Sequence, residues 1–187
     1  MARCYSGFVP NRHPPLPDIW LITDARNDEA LERTLARLPR GSGLVYRHYH
    51  LAPAARRARF AALARAARRF GHSLFLSGPA REARGWGADG AYGAPARLAR
   101  GPACPRLVTV HSLRELGRAH HARADAILLS PVFATRSHPG GATLGRVHFH
   151  LLAARSAVPV IALGGMTVHR ARTLPSRKWA AIQGLAR

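Results

Sequence analysis

Apolar positions along the chain fall into short unbroken runs, separated by stretches of helical spacing. Residues 126–129 (AILL) and 158–163 (VPVIAL) are such runs, the pattern of parallel strands buried on both faces. The first opens onto Ser130, Thr135, Ser137 and His138, and the second onto Gly164 and Gly165. Similar runs at 19–24, 43–49, 73–77 and 107–111 predict further strands. Between them, Ala30, Leu31, Leu35 and Leu38 predict a helix capped by Asn27 or Asp28 and stopped by Pro39 and Gly41. Residues 54–70 predict an Ala/Arg-rich helix with its apolar stripe through Phe60, Leu63 and Ala67. Ser112 with Glu115 three residues on forms a capping box for another helix. Residues 147–155 predict one more, with Phe149, Leu151 and Leu152 buried. Residues 1–17 hold several prolines and no period, which predicts an irregular arm. Strands that alternate with helices and empty small polar loops toward one side predict an α/β barrel with an anion-binding mouth.

Three segments at these loops carry a family resemblance. Ser130-Pro131-Val132-Phe133-Ala134-Thr135-Arg136-Ser137-His138 is similar to GPxFxTxTK, and Pro159-Val160-Ile161-Ala162-Leu163-Gly164-Gly165-Met166 to PVxAIGGI. Thr109-Val110-His111-Ser112-Leu113-Arg114-Glu115 is similar to S-x-H-S-x-x-E. With these segments in order, the chain resembles the thiamine phosphate synthase family, which includes the thiazole tautomerases. Residues 19–24 resemble its opening YxITD, 87–92 (GADGAY) its fourth strand and 179–182 (WAAI) its last. The resemblance implies one (β/α)8 TIM barrel over 18–187, with the last helix reduced or missing. The flank left bare between strands seven, eight and one is expected to take the N-terminal arm or a second subunit, making a homo-oligomer.

The family's synthases join a hydroxymethylpyrimidine pyrophosphate to a thiazole phosphate. That reaction needs charge neutralisation on the diphosphate more than it needs a base. By resemblance, Arg47, Thr135 and Ser137 serve the reacting diphosphate. Thr109, His111, Ser130 and His138 line the substrate site, although His111 equally suits the top of the core. Gly164 and Gly165, with the backbone near Ile182 and Gln183, match the thiazole phosphate cradle.

The departures matter as much. The family expects magnesium, yet its aspartate after strand three is Gly78 here, and its second acidic position is Ala96 or Arg97. The strand-two lysine is Tyr49, and the lysine of TxTK is His138. Of the nine carboxylates only Asp24 ends a strand, while Asp89 and Asp125 precede theirs and belong at the barrel's bottom. No metal ligand set is therefore assigned. The tautomerases' catalytic histidine is replaced by Pro131. The alternatives to a synthase are a family barrel that binds a phosphorylated thiazole or thiamine phosphate without the reaction, and a basic nucleic-acid-binding protein. His48 and His50 share the outer face of strand two by alternation, and with no third ligand evident a packing or surface role is expected.

Composition adds little to this. A length of 187 residues suits one barrel domain, and the net charge is +20. Lys178 is the only lysine among the 29 basic residues, leaving 28 arginines dispersed along helices. Dispersed charge argues against a nucleic-acid footprint and favours anionic small molecules. No window approaches a membrane span and no signal peptide opens the chain, so a cytoplasmic location is expected. Cys4 and Cys104 lack metal-site spacing.

Overall fold

The computed structural model describes residues 15–135 and 140–185. Eight parallel strands close a barrel in chain order: β1 (Ile19–Ile22), β2 (Gly43–Tyr46), β3 (Ser73–Ser77), β4 (Gly90–Gly93), β5 (Arg106–Val110), β6 (Ala126–Leu129), β7 (Val160–Ala162) and β8 (Trp179–Ala181). The seam closes β8 onto β1, with Trp20 opposite Ala180. The helices are α1 (Leu31–Arg37), α2 (Pro53–Arg69), α3 (Ala80–Trp86), α4 (Pro95–Leu98), α5 (Leu113–His121), α6 (Gly145–Ala153) and α7 (Val168–Ala171), with a 3-10 helix (Ala25–Ala30) ahead of α1. This is the TIM barrel expected, and no helix follows β8 among the described residues. In its place a cavity of about 530 Å³ lies between α7 and α1, lined by Ile19, Leu38, Leu174, Trp179 and Leu185. The expected N-terminal arm lies almost wholly outside the described residues.

The two-residue period of each strand sorts its side chains into two cores. Leu21, Leu44, Leu74, Leu76, Val108, Ile127 and Leu129 face outward, where Leu35, Phe60, Leu63 and Phe149 from the helices pack on them. Trp20, Ile22, Val45, Phe75, Tyr92, Leu107, Leu128, Ile161 and Ala180 fill the interior. Large and small residues alternate there. A Cβ at Gly43 would lie 2.2 Å from the Trp20 ring and one at Gly90 2.3 Å from Phe75, so glycine makes room for each ring. The two rings meet edge to face at 5.0 Å, and Trp20 Nε1 donates to Pro17 O at 2.9 Å.

Two expectations about helices are corrected. The first cap is Asp24, not Asn27 or Asp28: its Oδ1 accepts from Arg26 N at 3.1 Å. Asn27 is buried instead, donating from Nδ2 to Ile22 O at 3.0 Å and to Ile182 O at 2.8 Å, which ties the tops of β1 and β8. In α6, Phe149 is buried but Leu151 is 54% exposed. Residues two apart lie on opposite helix faces, so Leu151 cannot share the side of Phe149.

Arginines do structural work in several places. Arg106 NH1 donates to Ala122 O at 2.8 Å beneath the barrel. Arg56 straps the upper ends of β2 and β3, donating from Nε to Arg47 O at 3.0 Å and from NH2 to Ser77 O at 2.9 Å. Among the described residues no helix is long and apolar enough to cross a membrane. Cys104 is a free, half-buried thiol, and Cys4 lies outside the described residues.

The hydrogen bond and charge of Arg26 hold the Asp24 carboxyl down at about 2, from an ordinary 3.8, against the opposing pull of burial. A depressed carboxyl contributes stability that is present above the unfolded value and lost as pH falls through the folded one. Asp24→Asn keeps a capping side chain but removes the charge. Urea titrations from pH 5 to pH 2 are therefore expected to show a smaller stability loss in Asp24→Asn than in the unaltered chain. Equal losses would show that the Arg26 pair does not set this titration.

Candidate functional site at the barrel mouth

Each interior row of side chains continues, one period further on, into the C-terminal mouth. Val45 is followed by Arg47, Phe75 by Ser77, Leu107 by Thr109, Leu128 by Ser130, Ile161 by Leu163 and Ala180 by Ile182. These six residues, with Tyr49, Tyr92, Arg97, His111, Pro131, Thr135 and Gly164, line one cavity of about 630 Å³. The sequence-expected residues Arg47, Thr109, His111, Ser130, Thr135, Gly164 and Ile182 are thus brought together. Gly165 and Gln183 line a second cavity of about 300 Å³ beside it, sharing Thr135, Gly164 and Ile182 with the first. Ser137 and His138 lie outside the described residues.

The mouth is cationic and hydroxyl-rich over an apolar floor. The Arg47 guanidinium sits 5.5 Å from the Tyr49 ring centre and makes no hydrogen bond or ion pair among the described residues. The Arg47 backbone is fixed, its N–H donating to Thr23 Oγ1 at 2.8 Å. Tyr49 Oη closes tightly on Ser77 Oγ. Burial pushes the Tyr92 hydroxyl up to about 12, so it stays a neutral donor. His111 is aimed by two contacts: its backbone N–H donates to Glu115 Oε2 at 2.8 Å, and Nδ1 donates to Ser130 O at 2.8 Å. With Nδ1 committed as donor to a carbonyl, Nε2 is the acceptor of the neutral ring. Ser112 Oγ accepts from Glu115 N at 3.3 Å, as a cap should.

The glycines behave differently from the simplest expectation. Gly165 has φ +61, and a Cβ there would lie 2.4 Å from Ala134 O. The space behind it belongs to the loop after β6, so a larger residue would disturb that loop before it reached a ligand. Arg170, which the motifs did not single out, holds this turn by donating from NH1 to Gly165 O at 2.6 Å and stacking 5.0 Å from the Phe133 ring centre. Tyr92, Ser77 and Arg170 are among the lining residues that the motifs did not single out. For Tyr92 and Ser77 the strand period would have found them.

Magnesium, which the family resemblance implies, does not fit the residues present. Among the described residues no carboxylate lines the large cavity. Asp24 is engaged by Arg26, with Nε at 2.6 Å. Asp89 and Asp125 sit at the bottom, accepting from Leu74 N at 2.7 Å and Arg106 N at 2.8 Å. The expectation about His48 and His50 also changes. His48 is packed, at 1% exposed, and His50 is on the surface, but Asp28 brings the third potential ligand that alternation along β2 did not offer.

Fold and mouth together define a TIM-barrel protein with a cationic cavity at the C-terminal ends of its strands. The chain belongs to the thiamine monophosphate synthase (TMP-TENI) family, whose model matches residues 19–184. A putative thiamine-phosphate synthase 2 from Aquifex aeolicus is 32% identical over 78 residues, so the chain spans 42% of that relative's length. Among solved structures, a thiamine phosphate pyrophosphorylase from Pyrococcus furiosus superposes with TM-score 0.72 at 21% identity, covering 89% of this chain and 85% of that one. One from Bacteroides thetaiotaomicron gives 0.61 at 12% identity, covering 90% and 84%. At these identities the two structures speak for the fold.

Proposed function

We propose that this chain is a thiamine phosphate synthase-like protein whose mouth binds a hydroxymethylpyrimidine diphosphate and a thiazole phosphate and joins them. The supporting observation is the convergence of Arg47, Arg97, His111, Thr109 and Thr135 on one cavity of about 630 Å³ in a chain of this family. In the condensation, the bond from the pyrimidine methylene carbon to the diphosphate oxygen breaks, and its electron pair leaves with the diphosphate. The thiazole nitrogen lone pair then forms the new C–N bond. Arginine and hydroxyl donors placed around the diphosphate favour this step by stabilising charge that grows as the bond breaks. The apolar floor of Leu163, Pro131 and Ile182 suits the flat ring faces of the two substrates.

A second reading is favoured by one observation. The lining carries no carboxylate, so a barrel that holds phosphorylated thiazole or thiamine phosphate without joining substrates fits the same cavity. Product formation from both substrates across a magnesium titration separates the two. The expected result is slow turnover that responds weakly to magnesium. The double substitution Gly78→Asp with Arg97→Asp is expected to steepen that response. A Cβ at Gly78 meets Glu82 Oε2 at 2.5 Å, the movable end of a side chain, so Glu82 must swing aside. Ligand binding with no product would favour the second reading. Fast, magnesium-dependent turnover by the unaltered chain would contradict the carboxylate argument itself.

A further inference from the structure

Outside the mouth, on the rim between β1 and β2, Asp28, His48 and His50 bring their ligand atoms within 4.8 Å of one another. They come from two segments: Asp28 from the 3-10 helix after β1, and the histidines from the loop after β2. The chain turns out of β2 at His48, whose φ of 40 is left-handed, and this delivers its ring into the gap under Asp28. The His48 ring is held between Tyr46, stacked at 4.7 Å, and His50, tilted at 5.1 Å.

The His48 nitrogens are not equivalent. Nδ1 lies 2.7 Å from Thr23 Oγ1, a satisfied hydrogen bond inside the core. Nε2 lies 2.8 Å from Asp28 Oδ1, yet it is buried and has no aligned hydrogen-bond partner among the described residues. A buried ring nitrogen that meets only a poorly aligned carboxylate oxygen, itself shared with an arginine, is a place where an ion can complete the contacts. Asp28 Oδ1 also accepts from Arg59 Nε at 2.8 Å, while Arg59 is shared with Glu32. Arg59 is therefore the cation that an ion at Asp28 would share the carboxylate with.

We propose that Asp28, His48 and His50 bind one first-row transition-metal ion, with zinc the best-matched, through the carboxylate and one nitrogen of each ring. Two imidazoles and a carboxylate are the donor set such ions prefer over magnesium. The pattern at His48, one nitrogen turned to the ion and the other hydrogen-bonded to Thr23, is the usual orientation of a metal-bound histidine. Ligand atoms around a tetrahedral zinc stand about 3.3 Å apart. His50 is exposed at the loop's edge, so a rotation of its side chain would bring its nitrogen in to close the set. The fourth position then faces solvent.

The position gives the ion a consequence. Thr23 Oγ1 contacts both His48 Nδ1 and the Arg47 N–H, so an ion on His48 fixes the segment that carries Arg47 into the mouth. The site itself does not depend on what the mouth binds.

The test is titration of zinc into the full chain by calorimetry, with cobalt as a spectroscopic probe of geometry. One equivalent is expected to bind, with tetrahedral-type visible bands for cobalt, and zinc is expected to raise the melting temperature by mass action. His50→Ala, at an exposed position that does not threaten folding, is expected to weaken zinc binding at least about tenfold and to shrink the thermal shift at a given zinc concentration. Asp28→Asn is expected to do the same, and His148→Ala, on the exposed face of α6, to change nothing. Equal zinc affinity in the unaltered chain and His50→Ala would overturn the site, as would no stoichiometric binding or an equal loss in His148→Ala.

Discussion

Arg47→Met is expected to weaken diphosphate binding about 10- to 100-fold while leaving the barrel's stability within about 0.5 kcal/mol of the unaltered chain. Arg47 follows the interior row of β2, so its side chain reaches the mouth rather than the helices. Its guanidinium has no ion-pair partner among the described residues, and it only lies against Tyr49 at 5.5 Å. A charge-assisted hydrogen bond to an anion contributes about 1.5–3 kcal/mol, and each 1.4 kcal/mol is roughly tenfold in affinity. Folding asks little of that charge. The backbone bond to Thr23 survives the substitution, and methionine keeps the apolar stem beside Tyr49. Isothermal calorimetry with diphosphate checks the affinity, and urea titration checks the fold. Unchanged affinity in Arg47→Met would remove Arg47 from the site.

Trp20→Ala is expected to cost about 3–5 kcal/mol, the largest stability loss of any single truncation inside the barrel. Trp20 is completely buried, fills the space opened by Gly43, and meets Phe75 edge to face at 5.0 Å. Its removal leaves a cavity that the strands cannot collapse, because all eight are tied into a closed ring. The Nε1 hydrogen bond to Pro17 O is lost as well. For a chain of this size the expected fall in melting temperature is roughly 6–20 °C. Trp20→Phe retains most of the ring and is expected to cost less. A loss under about 1 kcal/mol in Trp20→Ala would mean that the interior repacks, contrary to the rigid layering described here.

The strands were legible because buried parallel strands write themselves as unbroken apolar runs, and because side chains alternate with a period of two. Arg47, Thr109, Ser130 and Ile182 therefore come to one mouth through their spacing from Val45, Leu107, Leu128 and Ala180. What escaped the sequence lies where the chain leaves a regular element. Three capping residues, Asp24, Asn27 and Asp28, stand within five positions, and nothing local says which oxygen will meet the helix. The left-handed turn at His48 ends the alternation that placed it on the outer face. Its contact with Asp28 joins segments 20 residues apart, beyond the reach of any short pattern. The paired-glycine turn was readable at Gly164 and Gly165, but not that the loop after β6 already fills the space behind Gly165.

The central claim is that a cationic mouth without carboxylates binds phosphorylated ligands on its own charge. Calorimetric titration of diphosphate and of thiazole phosphate into the full chain, in chelator and again in excess magnesium, tests it most directly. Saturable binding of both ligands in chelator is expected, with affinities that magnesium changes less than about tenfold. Binding that appears only when magnesium is added would contradict it.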